Sequence, residues 1–333
     1  RDNAPAMNAC LRDLAVQIGD AFHGALSEVG IPATVYLSQN DGTLMSVDYA
    51  KRYPVATFAS GPTNSMRGAA FLSGRLDCAV VDIGGTTSDV GMLQHGFPRE
   101  ASIAVEIGQV RTNFRMPDVF SFGLGGGSLV REENGELRIG PDSVGYELTS
   151  KALCFGGDTL TTTDIAVAAG LAEIGDRSRV THLDKDLVTR TLALMEDRIA
   201  QAVDRMKTSA EPIPIVVVGG GSILLRDRLA GASELVKPDH FAVANAIGAA
   251  IAQVGGEVDR IFSLEKKSRD ETLEQAKQEA VDKAVAAGAN RDTVHVVDVE
   301  EVPLSYLPSS ATRIRVKAVG DLELEAESVA TGN

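Results

Sequence analysis

The sequence predicts an α/β protein, and three observations carry that expectation. Short apolar runs of strand length alternate with longer stretches that have helical spacing. Two of those runs, residues 77–83 and 215–218, are almost wholly apolar, as strands covered on both faces are. Each ends at once in a glycine-rich turn: Asp82-Ile83-Gly84-Gly85-Thr86-Thr87-Ser88-Asp89 after the first, Gly219-Gly220-Gly221-Ser222 after the second.

From the N-terminus, residues 6–29 have helical spacing, with Leu11, Leu14, Ile18, Phe22 and Leu26 on one stripe. Residues 34–37 read as a short strand ending in Ser38-Gln39-Asn40-Asp41-Gly42, where Asp-Gly signals a turn. Residues 55–58 form another strand candidate, and Pro62 in Ser60-Gly61-Pro62 suits the first turn of a helix running to about Ser73. Residues 77–83 and 89–93 flank the first glycine turn as a hairpin. Strand-like pieces continue to about Ile139, broken by Gly123-Leu124-Gly125-Gly126-Gly127-Ser128.

Helical character follows in 165–174 and 184–206, then the strand at 215–218 and a small-residue helix at 241–254. Ser268-Arg269-Asp270-Glu271 has the form of a capping box, and Gly288 lies where that helix would stop. Strands at 294–299 and 312–319 close the chain. A boundary is expected near 259–264, dividing an α/β region (1–262) from a C-terminal α+β segment (263–333).

Of the 333 residues, 44% are apolar, which suits an ordinary globular chain. The net charge of −14 argues against duplex nucleic acid, whose phosphates need clustered Lys and Arg. No apolar run is long enough to span a membrane. Cys10, Cys78 and Cys154 are widely spaced with no CxxC pair, so reduced thiols and a cytoplasmic location are expected. The five histidines show neither metal-ligand spacing nor a nucleophile partner.

The two glycine turns carry the chemistry. An apolar strand ending in an acid and two glycines puts a carboxylate at a strand tip beside backbone that a ligand can approach closely. Thr86 and Thr87 add hydroxyls where phosphate oxygens could sit, and Asp82 could position Mg²⁺, which takes few carboxylates and keeps its waters. The plainer reading is a hairpin that uses Gly84-Gly85 only to turn. Gly219 to Ser222 would let a nucleoside lie on bare backbone, or would simply connect strand to helix. Gly125-Gly126-Gly127-Ser128 reads equally as a third ligand loop or a sheet kink. Asp164, in Thr161-Thr162-Thr163-Asp164, reads either as a helix N-terminal acid or as a buried acid near a cleft.

Val81 to Asp89 resembles the second phosphate loop of the actin-like ATPase superfamily, with its ribonuclease H-like fold. Val218-Gly219-Gly220-Gly221-Ser222 resembles the adenosine motif of that superfamily. More narrowly, the chain is similar to the hydantoinase A/oxoprolinase family. The match runs through Ser38–Gly42, Ala59-Ser60-Gly61-Pro62, the Asp82 turn, Gly125–Ser128, Gly140-Pro141-Asp142-Ser143, Thr161–Asp164, the 219–221 triplet and Val302-Pro303-Leu304-Ser305-Tyr306-Leu307-Pro308.

That resemblance implies ATP- and Mg²⁺-dependent opening of a cyclic amide such as a hydantoin or 5-oxoproline, through phosphorylation of its carbonyl oxygen. Related members carboxylate ketones; a sugar-kinase-like phosphotransferase and a nucleotide-switched, non-enzymatic scaffold are the alternatives on the same fold. By resemblance Asp82, Gly84, Gly85, Thr86 and Thr87 contact phosphate or metal, and Gly219, Gly220, Gly221 and Ser222 contact the nucleoside. Asn245 lies beside the cleft, and Asp89 and Asp164 are catalytic or substrate-side acids. A hydantoinase B-type partner subunit and a homo-oligomer are implied. Family members begin with a domain carrying a first phosphate loop; no copy of that pattern precedes Ala6, so the chain reads as the later portion of such a protein.

Overall fold

The computed structural model describes residues 3–101, 106–107, 110–112, 114–133, 135–265, 267–304 and 311–323. Within the 302–308 motif, Ser305 to Pro308 lie outside the described residues. The first elements are α1 (Asn3–Glu28), β1 (Tyr36–Ser38), β2 (Thr43–Ser46), α2 (Val47–Arg52) and α3 (Ser60–Ser73). Next come β3 (Cys78–Ile83), β4 (Ser88–Gln94), β5 (Phe97–Pro98), β6 (Glu106–Ile107), β7 (Val110–Arg111), β8 (Val119–Phe122), β9 (Ser128–Glu133) and β10 (Glu136–Ser143). The helical stretch holds α4 (Leu148–Lys151), α5 (Thr162–Ala168) and α6 (Lys185–Met206). The remainder is β11 (Ile213–Val218), β12 (Ala232–Val236), α7 (Ala244–Ala250), β13 (Gln253–Ser263), α8 (Arg269–Ala286), β14 (His295–Leu304) and β15 (Ala311–Gly320).

The chain forms two compact units. One is built mainly from Phe58–Ile251, the other from Met7–Thr57 together with the chain after Ala252. The boundary expected near 259–264 is therefore corrected: it falls inside or at the end of β13. Residues 7–57 join the C-terminal segment because β13 pairs in parallel with β2, Gln253 opposite Thr43 and Val254 opposite Leu44. Pairing across such a sequence distance leaves no trace in a local pattern.

In the larger unit a mixed sheet runs β12-β11-β3-β4-β5, with β8 also on β4. β3 and β11 lie side by side in parallel, and residues 78–81 and 215–218 are buried. Alternation along β3 sends Ala79, Val81 and Ile83 to one face, where Met195, Ile199 and Val203 of α6 pack. Cys78 and Val80 face the other way, against Met66, Ala69 and Ala70 of α3 and Ala244 of α7. Asp82 shares the parity of Cys78 and Val80, so it points toward the α3 side at the tip of the strand. Helices α3 and α7 cross with backbones touching: a β-carbon on Gly68 would sit 1.9 Å from the Ala244 carbonyl oxygen, and one on Gly248 would sit 1.8 Å from that of Asn64.

The smaller unit is a five-stranded sheet, β1-β2-β13-β15-β14, with α8 laid along it. Ala276, Ala280 and Ala284 of α8 are fully buried, and a β-carbon on Gly256 of β13 would lie 2.2 Å from the Ala280 carbonyl oxygen. Ser268 and Glu271 form the expected capping box at the start of α8. Lys317 of β15 holds Asp41 in the turn after β1, its Nζ 2.9 Å from Oδ2.

Two local expectations are corrected. Residues 54–57 form a single 3-10 turn, not a strand, and Ala59 follows in the left-handed region at φ 59°. The helix expected over 241–254 is only Ala244–Ala250, because from Val254 the chain pairs with β15 residue by residue as far as Ser263. A ten-pair ladder outweighs the helix preference of the alanines.

Candidate functional site

The first glycine turn closes the β3–β4 hairpin. Ile83 pairs with Ser88, and Gly84 N–H donates to the Thr87 carbonyl oxygen at 2.9 Å. One register step back, Asp82 stands opposite Asp89, so two carboxylates lie on neighbouring strands at the same end of the sheet. Burial raises both carboxyls above the usual carboxylate range, the Asp89 charge raising Asp82 further. Two hydroxyls oppose that shift: Ser65 bonds to Asp82, and Ser121 of β8 donates to Asp89 Oδ1. Gly85, Thr86 and Thr87 are exposed at the tip.

β11 delivers the second glycine turn to the same place, because Val218 pairs with Asp82. Gly219 takes φ 87° and ψ 154°, backbone that only glycine adopts readily. A β-carbon there would lie 2.2 Å from Asp82 Oδ1 and 2.4 Å from the Ile83 carbonyl oxygen. At Gly221 it would meet Ile83 Cγ2 at 2.5 Å and the Gly84 carbonyl oxygen at 2.8 Å. The two turns are therefore packed backbone to backbone.

Not every residue of the second turn faces solvent. Gly220 is exposed, with nothing within 4 Å of its would-be β-carbon, whereas Gly221 and Ser222 are buried. The Ser222 hydroxyl donates to the Gly219 carbonyl oxygen at 2.7 Å. Ser222, expected to contact a nucleoside, thus has its hydroxyl bonded within the turn, which it holds closed.

Asn245, on α7, is exposed; its Nδ2 donates to the Gly61 carbonyl oxygen at 2.8 Å and to Ser65 Oγ at 3.2 Å. Ser65 thus links Asn245 to Asp82. In the sequence its only mark is that of a serine on the apolar stripe of Met66, Ala69 and Ala70, which does not say what it meets.

Asp164, expected either as a helix N-terminal acid or as a catalytic or substrate-side acid, lies inside the protein. It is fully buried, and its carboxylate accepts from Cys154 N–H (2.7 Å), Leu153 N–H (3.2 Å), Thr161 N–H (2.8 Å) and the Thr161 hydroxyl (2.8 Å). With Thr161 it forms a capping box on α5. A carboxylate with four donors inside the protein is a structural anchor.

The acid pair and the exposed hydroxyls suit a hydrated divalent cation bridged to phosphate oxygens. Among the described residues there is no group of three or more His, Cys, Asp or Glu that would hold a metal by itself. Mg²⁺ fits this donor set because it binds through one or two carboxylates plus phosphates and keeps several waters. Among the described residues no helix is long and apolar enough to cross a membrane.

Residues 1–210 match the hydantoinase/oxoprolinase family model. The acetophenone carboxylase gamma subunit of Aromatoleum aromaticum is 30% identical over 130 residues, 38% of this chain and 18% of that one. Two solved structures share the fold at low identity. An acetone carboxylase, in its nucleotide-free form, gives a TM-score of 0.66 at 18% identity, covering 94% of this chain and 56% of that one. The ATP-dependent caprolactamase of Pseudomonas jessenii gives 0.68 at 16% identity, covering 98% of this chain and 59% of that one. The chain thus spans less than two thirds of the length of each of these relatives. Its fold is the α/β, actin-like one that the glycine turns imply.

Proposed function

This chain belongs to the hydantoinase/oxoprolinase family, and we propose that it supplies the nucleotide-facing part of an ATP-dependent enzyme that opens a cyclic amide, a hydantoin, 5-oxoproline or related lactam. One observation carries the reading: the turn at 84–87 and the turn at 219–221 are in direct backbone contact, with Asp82 between them. The ATP-dependent caprolactamase, similar over nearly the whole chain, supports a lactam as substrate class.

Amide resonance makes direct attack of water slow, whereas a carbonyl oxygen phosphorylated by ATP leaves an imidate that water attacks readily. The C–N bond then breaks, the ring nitrogen taking a proton and leaving as the amine. A second water hydrolyses the resulting acyl phosphate to the acid and free phosphate. Bound Mg²⁺ would supply the charge neutralisation that phosphoryl transfer depends on. Asp82 and Asp89 would hold that ion, and the hydroxyls of Thr86 and Thr87 would donate to phosphate oxygens. Gly84 and Gly85 keep the tip free of side chains. Gly219 leaves room for the Asp82 carboxylate, and Gly220 leaves bare backbone for the nucleoside. Asn245 acts through Ser65, which steadies Asp82.

A second reading, ATP-dependent ketone carboxylation, is favoured by the similarity to the acetophenone carboxylase gamma subunit. That relative is named as a subunit, and we assign to this chain too a partner, of the hydantoinase B type, in the cytoplasm. The test is phosphate release from ATP by the protein with its partner subunit, across hydantoins, lactams, 5-oxoproline and ketones with bicarbonate. A cyclic amide is expected to stimulate release and yield the ring-opened acid. Stimulation only by ketone plus bicarbonate selects the carboxylase instead, and stimulation by none of them overturns both.

A further inference from the structure

The third glycine turn, 124–128, is held by a set of buried polar groups that the reading above does not use. Its N–H groups reach into the phosphate turn: Gly126 N–H donates to the Gly84 carbonyl oxygen at 2.9 Å, and Gly127 N–H to that of Gly85 at 2.7 Å. The approach is tight enough that a β-carbon on Gly125 would lie 2.5 Å from Thr86 N. The other side of the turn is gripped from α5. The Thr162 hydroxyl is shared between the Gly125 and Gly126 carbonyl oxygens, and Thr163 donates to Gly126 O through both its hydroxyl (2.8 Å) and its N–H (3.0 Å). The Ser88 hydroxyl holds the Leu124 carbonyl oxygen at 2.7 Å, and the Ser128 hydroxyl accepts from Gly125 N–H at 2.9 Å.

Thr161, Thr162, Thr163 and Asp164 are all at most 1% exposed. Burying four consecutive polar side chains is costly unless each is hydrogen-bonded. Here every one of them is bonded, to the 125–126 carbonyls or within the cap that fixes α5 beneath them.

The consequence lies in the peptide planes. In a trans peptide the C=O of one residue and the N–H of the next point in opposite directions. With the Gly84 and Gly85 carbonyls turned onto Gly126 and Gly127, the N–H groups of Gly85 and Thr86 are turned away from the 124–128 turn. No described residue accepts a hydrogen bond from either N–H. Successive N–H groups turned to one side form an anion-binding concavity.

We propose that Thr162 and Thr163, acting through the 125–127 turn, are positioning residues that set the Gly85 and Thr86 N–H groups toward the phosphates of a bound nucleotide. The proposal rests on the nucleotide-site reading above. It gives Gly125-Gly126-Gly127 a role in neither of the forms expected from sequence: the turn touches no ligand and does not merely kink a sheet.

The test compares Thr162→Val and Thr163→Val with Thr162→Ser and Thr163→Ser in the full chain. It reads MgADP affinity by calorimetry and residue-resolved amide hydrogen exchange by NMR. Thr163→Val is included because the residue 163 N–H still holds Gly126, so that variant keeps its fold. Both valine variants are expected to lose exchange protection at Gly126 and Gly127 and to bind MgADP at least tenfold more weakly, while both serine variants behave as wild type. Lost protection with MgADP affinity within twofold of wild type would overturn the proposal and leave the nucleotide site standing. A wild-type chain that binds no MgADP overturns the nucleotide site, and this role with it.

Discussion

Gly219 lies so close to Asp82 that a β-carbon at 219 would sit 2.2 Å from Asp82 Oδ1. The glycine is therefore required twice, by its φ of 87° and by the carboxylate beside it. Gly219→Ala is expected to destabilise the fold by about 2–4 kcal/mol, as strain and overpacking together do. Gly220→Ala, with open space around its α-carbon, is expected to stay within about 0.5 kcal/mol of wild type. Chemical denaturation of both variants checks the contrast. Equal destabilisation at the two positions would remove the argument for close packing of the turns.

Asp82→Asn separates a ligand-binding acid from a structural one. Burial, with the Asp89 charge, raises the Asp82 carboxyl in the folded protein. A raised carboxyl favours the folded state when protonated, so its contribution declines as pH rises from the unfolded value, about 3.9, through the folded one. Without nucleotide or divalent cation, the variant is expected to melt no lower than wild type at pH 7.5. Any gain should disappear near pH 4. MgADP binding is expected to be lost. A melting series over pH decides the matter, and a clear fall in melting temperature at pH 7.5 would make Asp82 structural.

The Asp41–Lys317 pair behaves in the opposite sense. Burial works to raise Asp41, but the Lys317 ammonium and the donors of Thr43 outweigh it and hold the carboxyl below its ordinary value. Its stabilisation is present above the unfolded value and is lost as pH falls through the folded one. Lys317→Met strands a carboxylate whose side chain is 24% exposed, and is expected to cost about 2 kcal/mol at pH 7. That cost should shrink below pH 4, where the stranded acid protonates. Urea titrations at pH 7 and pH 3.5 give the comparison.

Asp164→Asn presents an amide where four donors converge on a carboxylate. A loss of about 2–3 kcal/mol in folding stability is expected, since a lost charged acceptor leaves buried N–H groups unpaired. With the fold held by low temperature, MgADP affinity should be reduced little. A stable variant with abolished turnover would restore Asp164 to the reacting centre.

Much of this was legible in sequence because it is local. The hairpin around 84–87, the long α6 and the capping box on α8 each depend on residues a few positions apart. The choice between cap and catalytic acid at Asp164 was not local, for its partners at Leu153 and Cys154 come from a separate turn. Ser65 was hidden for the same reason, since only packing α3 beneath β3 brings its hydroxyl to Asp82.

By itself the sequence determined the kinds of element, the positions of the glycine turns and the acids that flank them, because helix and strand periodicity and turn chemistry are written in neighbouring residues. Only the tertiary structure decided which turns meet, which hydroxyls are spent inside the protein and where the units divide. Those outcomes follow from strand pairings such as Val218 with Asp82 and Gln253 with Thr43. They bring together segments far apart in the chain, and no local preference encodes that choice.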